Sequence, residues 1–172
     1  MNKQVQGKIY YCDDYVNTDV MAPGRYDPIY EDSKLAKIAL IDYQGIEPFV
    51  DQVKGVSSFS IIIAGKDFGC GSSRETAPLA LSAAGVKVII AKSFARIFFR
   101  NCINFGKIYP LELDHTFDQN IHGRNCAVNF ELNKLKVGDV EEEFKDLGIL
   151  SSIFNGGGLS EYVLKNRGFG CL

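Results

Sequence analysis

Three apolar runs punctuate the middle of the chain, and each gives way to glycine or a polar cluster. "SSFSIIIAG" (residues 57–65), "VKVIIA" (86–91) and "KIYPLEL" (107–113) are short, rich in β-branched side chains and apolar at consecutive positions. Continuous rather than alternating hydrophobicity marks a strand covered on both faces. Between the runs the period changes. "ETAPLALSAAG" (75–85) reads as a helix closed by Gly85, with Pro78 tolerated in its first turn. "SFARIFFRNCINFG" (93–106) reads as an amphipathic helix with Ser93 as N-cap and Gly106 beyond its end. Strand, helix, strand, helix, strand makes two consecutive β-α-β units, so we expect an α/β core with parallel pairing.

The flanks are less regular. "GKIYYCDDYVNTDVMAPGRY" (7–26) opens on a β-like run and passes through acidic and turn-forming residues to Pro23-Gly24. There Asn17, Thr18 and Asp19 offer side-chain oxygens that can cap or turn the backbone. "SKLAKIAL" (33–40) has helical spacing behind a candidate N-cap, Ser33. "NCAVNFELNKLKVGDV" (125–140) alternates like a half-exposed antiparallel hairpin. "DLGILSSIFNGGGLSEYVLKN" (146–166) ends in a short helix, its glycine run reading as a turn. No repeat, low-complexity tract or linker interrupts the pattern, and residues 1–172 are expected to form one domain.

Composition narrows the class. A chain of 172 residues with 46% hydrophobic and 23% charged residues is an ordinary globular mixture, long enough to bury a core. A net charge of −2 argues against nucleic-acid binding driven by overall charge. No apolar run reaches membrane-span length, and "MNKQVQGKIYY" lacks the apolar segment of a signal peptide. Five cysteines (Cys12, Cys70, Cys102, Cys126 and Cys171) are scattered without C-x-x-C spacing, which speaks against a disulfide framework or zinc site and points to a reducing cytoplasm. With only His115 and His122 available, a metal site made by this chain alone is not expected, and both histidines read as surface or capping residues.

The densest chemistry lies in "GKDFGCGSSRETAP" (65–78), between a predicted strand and a predicted helix. Such a loop aims unpaired backbone N–H groups at whatever sits beside the helix N-terminus. Gly69 and Gly71 permit close approach, while Ser72, Ser73 and Arg74 bring two hydroxyls and a planar guanidinium to the same pole. The segment is not a Walker loop, completes only half of a dinucleotide fingerprint, and has Arg74 where a hydrolase elbow needs glycine. The residues alone leave three readings open: an anion site with a hydroxyl for proton transfer, a Cys70 nucleophile awaiting a histidine, or a bare turn and N-cap. Lys92, Arg96 and Arg100, four apart, read either as an RNA- or protein-binding face or as a solvated basic edge beside Phe94, Ile97 and Phe98.

"FGCGSSRETAPLAL" and "VIIAKSFARIFFRNCINFGKIYPLEL" together closely resemble the small-subunit family of isopropylmalate isomerase, in the aconitase superfamily. "VNTDVMAPGRY" and "GGGLSEYV" extend the resemblance over nearly the whole chain. Thr76 departs from it, standing where most relatives carry histidine. The resemblance implies a swivelling β/β/α domain like aconitase domain 4. It also implies a large partner subunit holding a [4Fe-4S] cluster through three cysteines, in a heterodimer or heterotetramer without which this chain is inactive. Ser72 then becomes the proton-abstracting group, Arg74 a carboxylate clamp, Ser73 an assistant, and Asp19 and Arg25 substrate-positioning residues. The loop of Tyr26, Asp27, Pro28, Ile29 and Tyr30 would select the substrate. An acid at 27 and aliphatic or aromatic groups at 29 and 30 favour an alkyl malate, isopropylmalate first and 2,3-dimethylmalate next, over the longer tricarboxylate of a homoaconitase. The implied role is a cytoplasmic hydro-lyase of leucine biosynthesis.

Overall fold

The computed structural model describes residues 3–29 and 31–166. Its strands are β1 (Gln4–Tyr11), β2 (Phe59–Ala64), β3 (Val88–Ala91), β4 (Tyr109–Glu112), β5 (Asn125–Asn129), β6 (Lys134–Val137) and β7 (Val140–Glu143). They form one seven-stranded sheet in the order β4-β3-β2-β1-β5-β6-β7. The four strands from β4 to β1 run parallel, and β5, β6 and β7 continue antiparallel. The chain is therefore mixed α/β. Its helices are α1 (Thr18–Met21), α2 (Asp32–Ile38), α3 (Thr76–Ala83), α4 (Arg96–Phe105), α5 (Leu150–Asn155) and α6 (Leu159–Asn166).

The continuous apolar runs are explained by two cores. Ile61, Ile63, Val88, Ile90 and Leu111 face one buried layer, shared with β5, β6 and α5. Ile62, Ala64, Ile89 and Ala91 face the other, shared with α2, α3 and part of α4. Each face of β2 and β3 is thus largely dry, Ser60 at the start of β2 being the one partly exposed position in the two strands. A register shift between Lys8 and Ile9 adds one residue to β2, which turns Phe59 to the same layer as Ile62. Gly7 accommodates the extra residue: a Cβ there would lie 1.7 Å from Ser60 Oγ.

Several expectations need correction. Ser93 does not cap α4, which starts at Arg96 with Ala95 at the N-cap and no side-chain cap bond. Residue 94 is held instead in a bridge to Phe68, and the Ser93 hydroxyl accepts the Asp67 N–H at 2.9 Å, so Ser93 clasps the glycine loop. Ser33 lies inside α2 behind Glu31, to whose carboxylate it donates. The acidic run after the predicted hairpin forms a further strand, β7, anchored by Lys134 to Glu141 at 2.9 Å. Two C-terminal helices appear where one was expected. The glycine turn joining them, residues 156–158, packs backbone to backbone on the end of α4: a Cβ on Gly158 would lie 2.3 Å from the Asn104 carbonyl oxygen. Gly106 does close α4, in the left-handed region at φ 61°. Among the described residues, no helix is long and apolar enough to cross a membrane.

Candidate active site

Beyond their carboxyl ends, β1 and β2 release two segments that run side by side, where parallel sheets place their binding crevices. Asn17 and Cys70 form a parallel bridge, the Thr18 N–H donates to the Cys70 carbonyl at 2.9 Å, and the Gly69 N–H donates to the Val16 carbonyl at 2.9 Å. Thr18, the buried polar residue of the core, donates its hydroxyl to the Ser72 carbonyl at 2.7 Å. The position of Ser72 is thereby fixed from a residue 54 places earlier. The two loop glycines are required here. Gly69 and Gly71 hold φ of 84° and 88°, which other residues rarely adopt. A Cβ on Gly69 would also enter the Phe98 ring at 2.2 Å, and one on Gly71 would meet Asn17 Oδ1 at 2.3 Å.

The loop opens on a cleft of about 340 Å³ lined by Thr18, Gly69, Gly71, Ser72 and Arg74 on one side, and by α4 on the other. Arg74 lies across its floor with 24% of its side chain exposed. Its Nε donates to Asp19 at 2.7 Å and its NH1 to Asp27 at 3.2 Å, two bonds that hold the guanidinium plane. Gly24 makes room for that plane, since a Cβ there would fall 2.6 Å from Arg74 NH1. One cation and two carboxylates leave this cluster one charge negative. The structure thus brings together Ser72, Arg74, Asp19 and Asp27.

Other predicted residues sit elsewhere. Ser73 is exposed beside Ser72 but does not line the cleft. Arg25 forks onto Asp42 at 2.5 and 2.6 Å and covers the Tyr26 ring; the bond holds the Asp42 carboxyl below the usual carboxylate range. Pro28 is exposed, whereas Tyr26 and Ile29 are half-buried against the core. Tyr30 lies outside the described residues. Cys70 donates its thiol to the Tyr15 carbonyl at 3.3 Å, and burial first, then Asp67, push that thiol up in pKa. Neither histidine serves it: His115 pairs with Glu142 and His122 with Glu47. His122 is not a surface residue but is wedged against Tyr10 and Phe59, its Nδ1 accepting the Tyr11 N–H.

The basic helix face is also redrawn. Lys92 precedes α4 and turns to Thr116. Arg96, Ile97, Arg100 and Asn101 line the Ser72 cleft instead, a contribution that sequence spacing alone did not assign to the site. The described residues do not fit an iron–sulfur site made by this chain. Cys12 and Cys102 are buried in one core and Cys126 in the other, their thiols pushed up by burial, that of Cys126 to about 12. Cys171 lies outside the described residues, and among those described no cluster of potential metal ligands forms.

Comparison with known proteins places this geometry. Residues 29–116 match the family model of the Aconitase C-terminal domain. The small subunit of 3-isopropylmalate dehydratase from Clostridium beijerinckii is 39% identical over 166 residues, covering 95% of this chain and 99% of that protein. Its counterpart from Aquifex aeolicus is 38% identical over 166 residues, covering 95% and 96%. The crystal structure of 3-isopropylmalate dehydratase from Methanocaldococcus jannaschii superposes with a TM-score of 0.79 at 31% identity, covering 95% of each chain. The fold, the matched segment and these relatives agree, and the chain belongs to the 3-isopropylmalate dehydratase small-subunit family, within the aconitase C-terminal domain fold.

Proposed function

We propose that residues 1–172 act as one swivel-type unit, the small subunit of a hydro-lyase that dehydrates and rehydrates 3-isopropylmalate in the cytoplasm, as a step of leucine biosynthesis. The observation that carries this reading is that Ser72 and Arg74 line one cleft in which every charged lining residue is an arginine. Ser72 Oγ takes the proton from the carbon next to a substrate carboxylate. A hydroxyl is a weak base at neutral pH, and among the described residues no imidazole or carboxylate hydrogen-bonds it. The guanidinium groups of Arg96 and Arg100, which have no ion pair among the described residues, supply what it needs, a field that favours the anionic oxygen. Arg74 holds the carboxylate through N–H groups left over from Asp19 and Asp27, and those acids keep its plane aligned.

Removal of the hydroxyl group calls for an electrophile, which the expected [4Fe-4S] cluster of the large subunit provides when that partner is present. This chain's own part is to bind, orient and exchange the proton. On substrate choice, Arg25 is occupied by Asp42 and Arg74 by two acids, so the loop at residues 26–29 presents no free cation to a third carboxylate. That favours an alkyl-substituted malate over a longer tricarboxylate, with 2,3-dimethylmalate as the second candidate. The deciding experiment is steady-state kinetics of the Ser72→Ala variant reconstituted anaerobically with its large subunit. Turnover should fall roughly 100-fold or more with unchanged thermal stability, because an exposed loop hydroxyl adds little to the core. Near wild-type turnover would remove Ser72 from the mechanism.

A further inference from the structure

We propose that the cleft-facing side of α4, Arg96 and Arg100 with the first-turn N–H groups between them, binds the second carboxylate of the diacid across from Arg74, an inference that rests on the dehydratase reading above. A substituted malate carries two negative charges. The Arg74 cluster cannot receive both, since Asp19 and Asp27 already over-neutralise it. Arg96 and Arg100 lie one helical turn apart on the opposite wall, are exposed, and have no ion pair or hydrogen bond to their side chains among the described residues. Their two charges reverse the sign of the cleft as a whole.

The backbone adds to this. Residues 95–98 all line the cleft, and α4 has no side-chain cap. A ten-residue helix therefore turns its unpaired N–H groups and the positive end of its dipole toward the space where Ser72 opens. Ile97, 50% exposed, lines the same cleft and offers an aliphatic surface for the alkyl branch of the same ligand. The ligand class that matches this wall is a carboxylate carried on a branched alkyl chain.

The test combines kinetics with direct binding. In the complex, with the large subunit saturating, the double variant Arg96→Gln/Arg100→Gln should raise KM for 3-isopropylmalate about 10- to 100-fold while kcat changes much less. The salt dependence of kcat/KM should flatten as well, because two charges that attract the dianion are gone. Melting should be unchanged, both side chains being exposed. An unchanged KM overturns the proposal, as does a deficit that further large subunit abolishes, which would assign the arginines to subunit docking. If the wild-type complex proves inactive, the dehydratase reading fails by itself, and a malate titration of the isolated, isotope-labelled chain decides the present one. Amide shifts at residues 96–98 that disappear in the double variant support it; no shift there overturns it.

Discussion

Arg74 shows how much of this site depends on shape rather than charge. Its Nε and NH1 are committed to Asp19 and Asp27, so the carboxylate proposed to bind Arg74 would use the remaining edge of the same rigid fork. Lysine would keep the positive charge and lose that division of labour. A charge-assisted hydrogen bond contributes about 1.5–3 kcal/mol, and at about 1.4 kcal/mol per decade the Arg74→Lys variant should lose roughly 10- to 150-fold in kcat/KM. Kinetics on the reconstituted complex, with thermal melting as control, measures it. Full activity at normal stability would mean that Arg74 neutralises its two acids and does nothing more.

Among the elements, the glycine turn between α5 and α6 separates two effects that are usually confounded. Gly158 has φ 99°, and a Cβ there would run into the backbone of α4, 2.3 Å from the Asn104 carbonyl oxygen and 3.0 Å from that of Phe105. Gly148 also has positive φ, 55°, yet nothing lies within 4 Å of a Cβ built on it. Gly148→Ala should therefore cost only the backbone strain, about 1 kcal/mol, whereas Gly158→Ala must also push α5 and α6 off α4 and should cost about 2–4 kcal/mol. At about 2–4 °C per kcal/mol, the gap between the two melting temperatures should be several degrees. Equal melting temperatures would mean that the glycine turn is slack.

The same turn illustrates what could be read from the chain beforehand. The β2-α3-β3-α4-β4 core was legible because burial on both faces writes itself as uninterrupted Ile and Val, a purely local signal. The Ser72 half of the cleft was legible for a similar reason, with glycines and polar groups crowded into one loop. The α4 half was not. Whether Arg96 and Arg100 face solvent or the cleft depends on how α4 crosses the loop, and that is set by the Phe98 ring resting on the bare backbone of Gly69, a contact between residues far apart in sequence. β7 was missed because three glutamates have little strand preference of their own and are ordered by pairing with β6. Ser93 looked like a cap and became a loop clasp, since a hydroxyl serves either purpose and tertiary contact decides.

On the scale of the whole molecule, the cleft holds the groups proposed for proton transfer and carboxylate binding, and among the described residues no cluster of potential metal ligands forms. The isolated chain should accordingly show no dehydratase turnover, and activity should appear in proportion to added large subunit under anaerobic conditions. Robust turnover by the chain alone would refute the division of labour.

How this chain behaves with nothing docked on it depends on the margins of its sheet. Strand edges with unpaired N–H and C=O groups recruit other chains into aggregates. One margin here is β4, where Pro110 has no N–H to offer; the other is β7, where Glu141 and Glu143 on one face pair with Lys134 and Glu142 on the other pairs with His115, so that margin is lined with charged side chains. Both margins thus carry features that oppose sheet extension. A copy with nothing docked on it therefore offers a further strand a poor template at either end of its sheet.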